Sequence, residues 1–109
     1  MDYKYFPKYE LKCKGASCCG GSAPMQKVFM ERIIMLRELV GTLQVNSAYR
    51  CEIHNAFVGG APKSYHKEGL AIDVWSKSQT LGNIALTARK LGLHTIMYKN
   101  FVHIDGRGL

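Results

Sequence analysis

The chain has 109 residues, of which 47% are apolar, a size that fits one compact domain over residues 1–109 and is too small for two. No apolar run approaches the roughly 20 residues of a membrane span, and the N-terminal sequence MDYKYFPKYE lacks the basic and then apolar layout of a secretory signal. The net charge of +7 favours anionic partners such as nucleic acid, lipid headgroups or cell-wall polymers, although such a charge can also serve solubility alone.

Residues 1–24 are predicted to form an irregular arm, because Pro7, paired glycines and the stretch KGASCCGGSAP interrupt any regular period. The arm holds three of the four cysteines, and Cys51 follows later in the chain. They could be reduced thiols, a disulfide or a metal clip, in which Cys51 and His54 would join Cys13 and Cys18 as a four-ligand structural zinc set. The spacing leaves these alternatives open, and it does not fix the state of Cys19.

The next segment predicts an amphipathic helix followed by a strand. The helix begins at Ser22 as a capping residue, with Pro24 in the first turn, and Gly41 follows its end. Apolar residues at helical spacing predict its buried stripe: Met25, Phe29, Ile33, Leu36 and Leu39. After it, LQVNSAY alternates in the manner of a strand that ends at Arg50.

The remaining elements complete a small sheet. A loop with a turn of helix, CEIHNAFVGGAPKS, leads to the strand LAIDVW, and SQTLGNIALTARKLG predicts a second amphipathic helix with Gly92 at its end. HTIMY and FVHID predict two short strands. Two helices on one face of a mainly antiparallel sheet make the predicted fold class α+β.

Two of these strands place polar residues on a shared face. Side chains alternate along a strand, so Asp73 in LAIDVW faces away from the aliphatic side, and His103 in FVHID does the same together with Asp105. If the two strands are neighbours, Asp73 and His103 stand opposite each other, about 5 Å apart between Cβ atoms. One zinc ion can bridge such a pair, which would explain a carboxylate within an apolar run.

A third ligand is available from the loop before the Asp73 strand. His66 precedes the turn at Gly69 and is close enough in the chain to reach the same ion. Two histidines and one carboxylate leave a fourth position open, which is typical of a catalytic zinc site that holds a water. Taken singly, each residue has an ordinary alternative: a surface histidine, or an aspartate that caps a turn or pairs with Lys77.

Longer motifs resemble a known family. SAYR, HNAFVGGAPKSYHKEGLAIDV and FVHID are similar to the motif series of the M15 zinc peptidases, in particular the D-alanyl-D-alanine carboxypeptidase branch with its phage endolysins. This branch shares its fold with the hedgehog signalling domain. The resemblance covers nearly the whole chain and implies a hedgehog-type α+β fold, a Zn²⁺ cofactor and hydrolysis of peptide bonds.

The resemblance also implies roles for individual residues. His66, Asp73 and His103 match the zinc ligands. Arg50 matches an arginine that binds the substrate carbonyl or carboxylate, a role suited to a permanently charged fork of donors. Ser64 matches a position that orients substrate or site, although a serine in a turn is an equally ordinary explanation.

The general base is the point at which this chain departs from the family pattern. Many relatives have a glutamate shortly before the last histidine, whereas HTIMYKNFV contains no acid. Asp105 is the first candidate for a catalytic base, because it shares the face of His103. Glu68 is the second candidate and His94 a remote third.

The predicted function is therefore hydrolysis of peptidoglycan stem peptides by metal-activated water, either as a D,D-carboxypeptidase or as an endolysin-type endopeptidase. The expected partners are peptidoglycan peptides and the anionic cell wall, with no specific nucleic acid and no membrane span, and we expect a monomer. Such a protein would be made in the cytoplasm without a signal peptide and act at the cell wall or in the periplasm, for instance as a phage-encoded or virion-associated protein. The alternative is a non-catalytic, zinc-containing wall-binding or protein-binding module of the same fold.

Overall fold

The computed structural model describes residues 3–15 and 17–109, so residues 1, 2 and 16 of the predicted arm lie outside the described part. Within that part the chain forms four α-helices and one sheet of four strands, which confirms the predicted α+β class. The helices are α1 (Lys8–Leu11), α2 (Lys27–Val40), α3 (Glu52–Phe57) and α4 (Leu81–Lys90). The strands are β1 (Gln44–Ser47), β2 (Ala71–Trp75), β3 (His94–Met97) and β4 (Val102–Asp105).

All strand pairs are antiparallel, in the spatial order β1-β2-β4-β3. The sheet therefore has β2 and β4 at its centre. Ile72 lies opposite Ile104, and Val74 lies opposite Val102. These four side chains are fully buried on one face, where α2 and α4 pack over the sheet. The opposite face of the same two strands is left for polar residues.

Helix α2 differs from its prediction at both ends. It begins at Lys27 rather than at Ser22, because Ser22 accepts a backbone hydrogen bond from Cys13 at 2.9 Å and belongs to the arm. Near its end Leu39 is 65% exposed and Val40 is buried in its place. Leu39 and Val40 lie three and four residues after Leu36, so both are at helical spacing, and packing buries Val40. The prediction of Leu39 in the core was wrong.

The arm before α2 contains more structure than the sequence predicted. It forms the one-turn helix α1 and an isolated bridge between Tyr3 and Phe6. Phe6 and Leu11 are buried in the main core. The backbone N–H of Tyr49 also donates to the Leu11 carbonyl at 3.1 Å. The arm is thus packed onto the segment that follows β1.

The structure also bears on the membrane. Among the helices of the described ranges, none combines the length and the apolar character that a bilayer crossing requires.

Candidate metal centre

The polar face of the central strands brings a histidine and an aspartate side by side. Asp73 on β2 and His103 on β4 are direct partners in the antiparallel register. His103 Nδ1 lies 3.0 Å from Asp73 Oδ1. The two strands are therefore neighbours, which was the condition for Asp73 and His103 to stand opposite each other. The pair lies at the middle of the sheet, where backbone pairing on both sides fixes its position.

His66 reaches the same carboxylate from a short 3-10 helix at Tyr65–Glu68. Ser64 caps this helix, with its Oγ accepting the backbone N–H of His66 at 3.2 Å. Gly69 ends it in a left-handed conformation (φ 68°) that suits glycine. His66 is buried, and its Nε2 lies 3.2 Å from Asp73 Oδ1.

In both histidine rings, the nitrogen that points away from Asp73 has a hydrogen-bond acceptor as its partner. These partners assign the tautomers of His66 and His103. His66 Nδ1 lies 2.6 Å from the carbonyl oxygen of Ala48, and His103 Nε2 lies 2.8 Å from Asp105 Oδ2. Since a carbonyl or carboxylate can only accept, these two nitrogens donate. In the neutral rings, His66 Nε2 and His103 Nδ1 then hold lone pairs that face the Asp73 carboxylate.

Three electron-pair donors that face one another favour a cation between them. The nitrogen and oxygen atoms of His66, Asp73 and His103 all lie within 4.8 Å of one another. Zinc bound tetrahedrally at its usual bond lengths would separate such ligand atoms by ~3.4 Å, close to the observed 3.0 and 3.2 Å. The hydrogen bonds to Ala48 and Asp105 are the outer contacts that orient metal-binding histidines. These residues therefore fit a zinc ion.

The electrostatics of the group show how strongly the charges interact. Burial by itself would raise the pKa of Asp73, but hydrogen bonds with His103 and His66 lower that pKa below its ordinary value. Burial would likewise lower the pKa of His103, but Asp73 and Asp105 raise it above 6.5.

Asp105, the sequence candidate for the general base, is fully buried and lies outside the cleft lining. One oxygen contacts His103 Nε2, while Arg107 donates to both oxygens at 2.9 and 2.8 Å. Burial opposes ionisation of this carboxyl, but these contacts with Arg107 hold the pKa of Asp105 below its ordinary value. The side chain is thus anionic and held between two partners.

Arg50 lies at the wall of the site. Its backbone N–H donates to the His66 carbonyl at 3.1 Å, which ties it to the 3-10 helix that carries His66. Its Nε is buried and, within the described residues, has no hydrogen-bond partner. Burial lowers the pKa of Arg50, against the attraction of Asp73. Gly60 packs directly against Arg50 and Asn55, with no room for a Cβ.

An open cleft of about 500 Å³ lies over these groups. Arg50, Ser64 and the three predicted metal ligands all line this cleft. The other two candidates for the general base, Glu68 and His94, do not. Glu68 is exposed on the 3-10 helix, and His94 lies on β3 opposite Asp105.

The cleft also contains residues that the motifs did not indicate. Tyr98 and Phe101 stack at 4.8 Å between ring centroids, and the Arg107 guanidinium lies 4.7 Å above the Tyr65 ring. All four line the cleft. The run YKNF before β4 was the available signal for the stacked pair, because a short turn between paired strands brings its flanking aromatic residues together.

The α+β fold thus brings His66, Asp73 and His103 together under an open cleft as a candidate metal site. The family model for Peptidase M15 matches residues 4–105, which include the site residues described above except Arg107, and the chain belongs to this family. No curated protein and no solved structure matches the chain. Membership makes the protein a peptidase with a peptide substrate, in agreement with the resemblance of its motifs.

Proposed function

We propose that this protein is a zinc-dependent peptidase that hydrolyses peptidoglycan stem peptides, as a D,D-carboxypeptidase or an endolysin-type endopeptidase. The observation that supports it most is the convergence of three ligand atoms, from His66, Asp73 and His103, on the floor of a cleft. Two histidines and one carboxylate leave a coordination position open towards the cleft, as a catalytic site needs.

Zinc, when bound, would polarise the scissile carbonyl and lower the pKa of a water towards ~7. The residues around it prepare the site for that chemistry. Ala48 and Asp105 hold the two imidazoles in the tautomers that present lone pairs inward. The buried strand pair keeps Asp73 in place without rearrangement.

The charges of the cleft support an anionic substrate. Arg50, Lys63 and Arg107 line it, and Asp73 is the single acid among its described lining residues. Arg50 Nε is a hydrogen-bond donor without a partner among the described residues. A substrate carbonyl, the developing oxyanion or a terminal carboxylate can accept its hydrogen bond. Stem peptides of peptidoglycan contain such carboxylates, so Arg50 is the proposed substrate-binding residue, with Ser64 beside it.

The proton-transfer group is proposed to be Asp105 acting close to His103, with Glu68 as second candidate. The partners of Asp105 limit this role, because both of its oxygens already accept hydrogen bonds from Arg107. It could take up a proton only through movement of Arg107, which lies at the cleft wall with a side chain that is 42% exposed.

The proposed setting is the anionic cell wall. A net charge of +7 would favour adhesion to it. The protein is proposed to act there as a monomeric single domain, at the wall or in the periplasm, with phage lysis among the settings that fit.

A non-catalytic zinc module that binds wall or protein is the second candidate function. It is favoured by one observation, the lack of any acid other than Asp73 among the described residues that line the cleft. A module of this kind would retain zinc and bind walls without cleaving them.

Defined muropeptides separate the two functions. We expect the zinc-loaded protein to release D-alanine from a pentapeptide or to split a cross-linked dimer, as seen by mass analysis, and to lose this activity with a chelator or with His66→Ala. His94→Ala, which removes an imidazole outside the cleft, is the matched control and should keep its zinc. Binding to purified walls without any product, at full zinc loading, would favour the module and contradict the peptidase.

A further inference from the structure

All four cysteines of the chain meet at the junction of the arm with α3, and we call them the cysteine cluster: Cys13, Cys18, Cys19 and Cys51. Their sulfur atoms all lie within 4.8 Å of one another. Cys13 Sγ is 3.7 Å from the sulfur of Cys18 and 3.7 Å from that of Cys51. Cys18 and Cys19 are 3.9 Å apart between sulfurs. None forms a disulfide.

The spacing of the sulfurs fits an ion better than it fits disulfides. Four thiolates around zinc at Zn–S bonds of ~2.3 Å are separated by ~3.8 Å along each edge of the tetrahedron, whereas a disulfide needs ~2.05 Å. Cys13 is equally distant from two other sulfurs and could bond to one of them only. A shared ion uses all of the sulfurs at the distances observed.

The arm is shaped around the cluster. Gly15 lies so close to Cys18 that a Cβ there would collide with its sulfur. Gly20 and Gly21 follow the cysteine pair with φ of 70° and 77°, which reverses the chain after it. The backbone N–H of Cys13 then donates to the Ser22 carbonyl at 2.9 Å and closes the loop.

Contacts to the cluster also suit thiolates. The backbone N–H of His54 donates to Cys51 Sγ at 3.4 Å, at the first turn of α3. Lys12 and Lys14 flank Cys13 in the sequence. His54, which the spacing offered as a fourth ligand, supplies a backbone donor instead, and Cys19 takes that place in the group.

We propose that the cysteine cluster binds one structural zinc ion, separate from the ion of the cleft. Four protein ligands leave no open position, which is the mark of a structural site. Because Cys51 directly follows Arg50, and Tyr49 is hydrogen-bonded to Leu11, this ion would fasten the arm to the segment that holds Arg50 and the Ala48 carbonyl. The inference does not depend on the proposed peptidase activity.

Cobalt substitution tests the cluster in the unaltered chain. We expect the reduced protein loaded with Co²⁺ to show strong thiolate-to-cobalt charge-transfer absorption in the near ultraviolet. His103→Ala should keep this absorption and bind about one ion where the parent binds about two. Absence of the band in a folded, cobalt-loaded protein would overturn the proposal, whatever the state of the cleft site.

Substitution of the ligands gives the complementary result. Cys51→Ser should lose about one equivalent of zinc and lower the melting temperature, because a structural ion adds its binding free energy to folding. Ser17→Ala, an exposed position of the same loop, is the control and should keep both. If Cys51→Ser fails to fold, thiol titration of the parent decides the matter: zinc should protect all four thiols, and equal reactivity with and without zinc contradicts the site.

Discussion

Arg50 is held at its backbone, and one nitrogen of its guanidinium group lacks a partner within the described part of the chain. The hydrogen bond to the His66 carbonyl fixes its position relative to the His66, Asp73 and His103 group, while its buried Nε has no partner among the described residues. A buried donor without a partner costs free energy in the resting protein. A substrate oxygen that accepts from this nitrogen would remove that cost, which supports the proposed role of Arg50 in substrate binding.

Arg50→Lys should therefore reduce turnover, and Arg50→Ala should reduce it by about 10²–10³-fold, the usual effect of removing one oxyanion donor. A point charge on a flexible stem does not reproduce the forked contact. Steady-state kinetics on a defined muropeptide, with zinc content measured on the same sample, checks this. Arg89→Lys, on the far helix α4, is the matched control, and an Arg50→Ala enzyme as fast as the parent would remove Arg50 from the site.

Asp105 permits a test that separates proton transfer from positioning. If Asp105 is the proposed proton-transfer group, Asp105→Asn should lose ~10²–10⁴-fold in turnover even at saturating zinc, because the amide cannot take up the proton. Competition with a chromophoric chelator measures the affinity, and Glu31→Gln, an exposed acid on α2, serves as control. Zinc binding weakened by ~10–100-fold, with full turnover at saturating zinc, would show instead that Asp105 only positions His103.

Sequence reasoning was strongest where a strand's alternation decides a side chain's direction. It placed Asp73 opposite His103 because both strands have one aliphatic face, and the register bears this out. Alternation does not decide the contact of Arg107 with Asp105, which depends on the turn after β4. The presence of Cys19 rather than His54 in the cysteine cluster likewise depends on the conformation of a loop. Hydrophobic periodicity in the sequence does not predict loop conformation.

The 3-10 helix that presents His66 depends on the glycine at its end. Gly69 has φ of 68°, and a Cβ there would collide with the Pro24 carbonyl, a backbone atom that cannot yield cheaply. Gly59 has a similar φ of 73° but open space around it. The two glycines thus separate the cost of the backbone conformation from the cost of the clash.

Gly59→Ala should lower the free energy of unfolding by ~1 kcal/mol, the cost of a left-handed alanine. Gly69→Ala should lower it by more, because the clash adds to that cost, and it should also weaken zinc binding through displacement of His66. Denaturant unfolding and zinc titration measure the two effects. Equal destabilisation by the two changes would show that the contact with Pro24 is unimportant.

The start of α2 and the residue that is buried near its end were not predicted correctly from the sequence pattern. Both Leu39 and Val40 continue the apolar stripe of α2, and only packing on the sheet buries Val40 and exposes Leu39. Ser22 and Pro24 are good starting signals for a helix, yet the arm uses Ser22 to close the cysteine loop. Tertiary contacts override local propensity at both ends of α2.

At the scale of the whole molecule, the sheet order explains where the site lies. Placing β2 and β4 at the centre buries their aliphatic face under α2 and α4 and leaves their polar face to the segment between β1 and β2, which supplies Arg50 and His66. The α+β class followed from the alternation of helical and strand patterns. The order of strands and the stacked Tyr98 and Phe101 did not, because both depend on how distant segments pair.

Zinc repletion of metal-free protein tests the central claim most directly. Chelator-treated protein is titrated with Zn²⁺ while product from a defined muropeptide is followed by mass analysis, in parallel with Asp73→Ala. We expect activity to be absent without metal, to return as the site of His66, Asp73 and His103 fills, and to stay absent in the folded variant at every zinc concentration. Undiminished hydrolysis by metal-free protein, or no product from the fully loaded parent, would contradict the account.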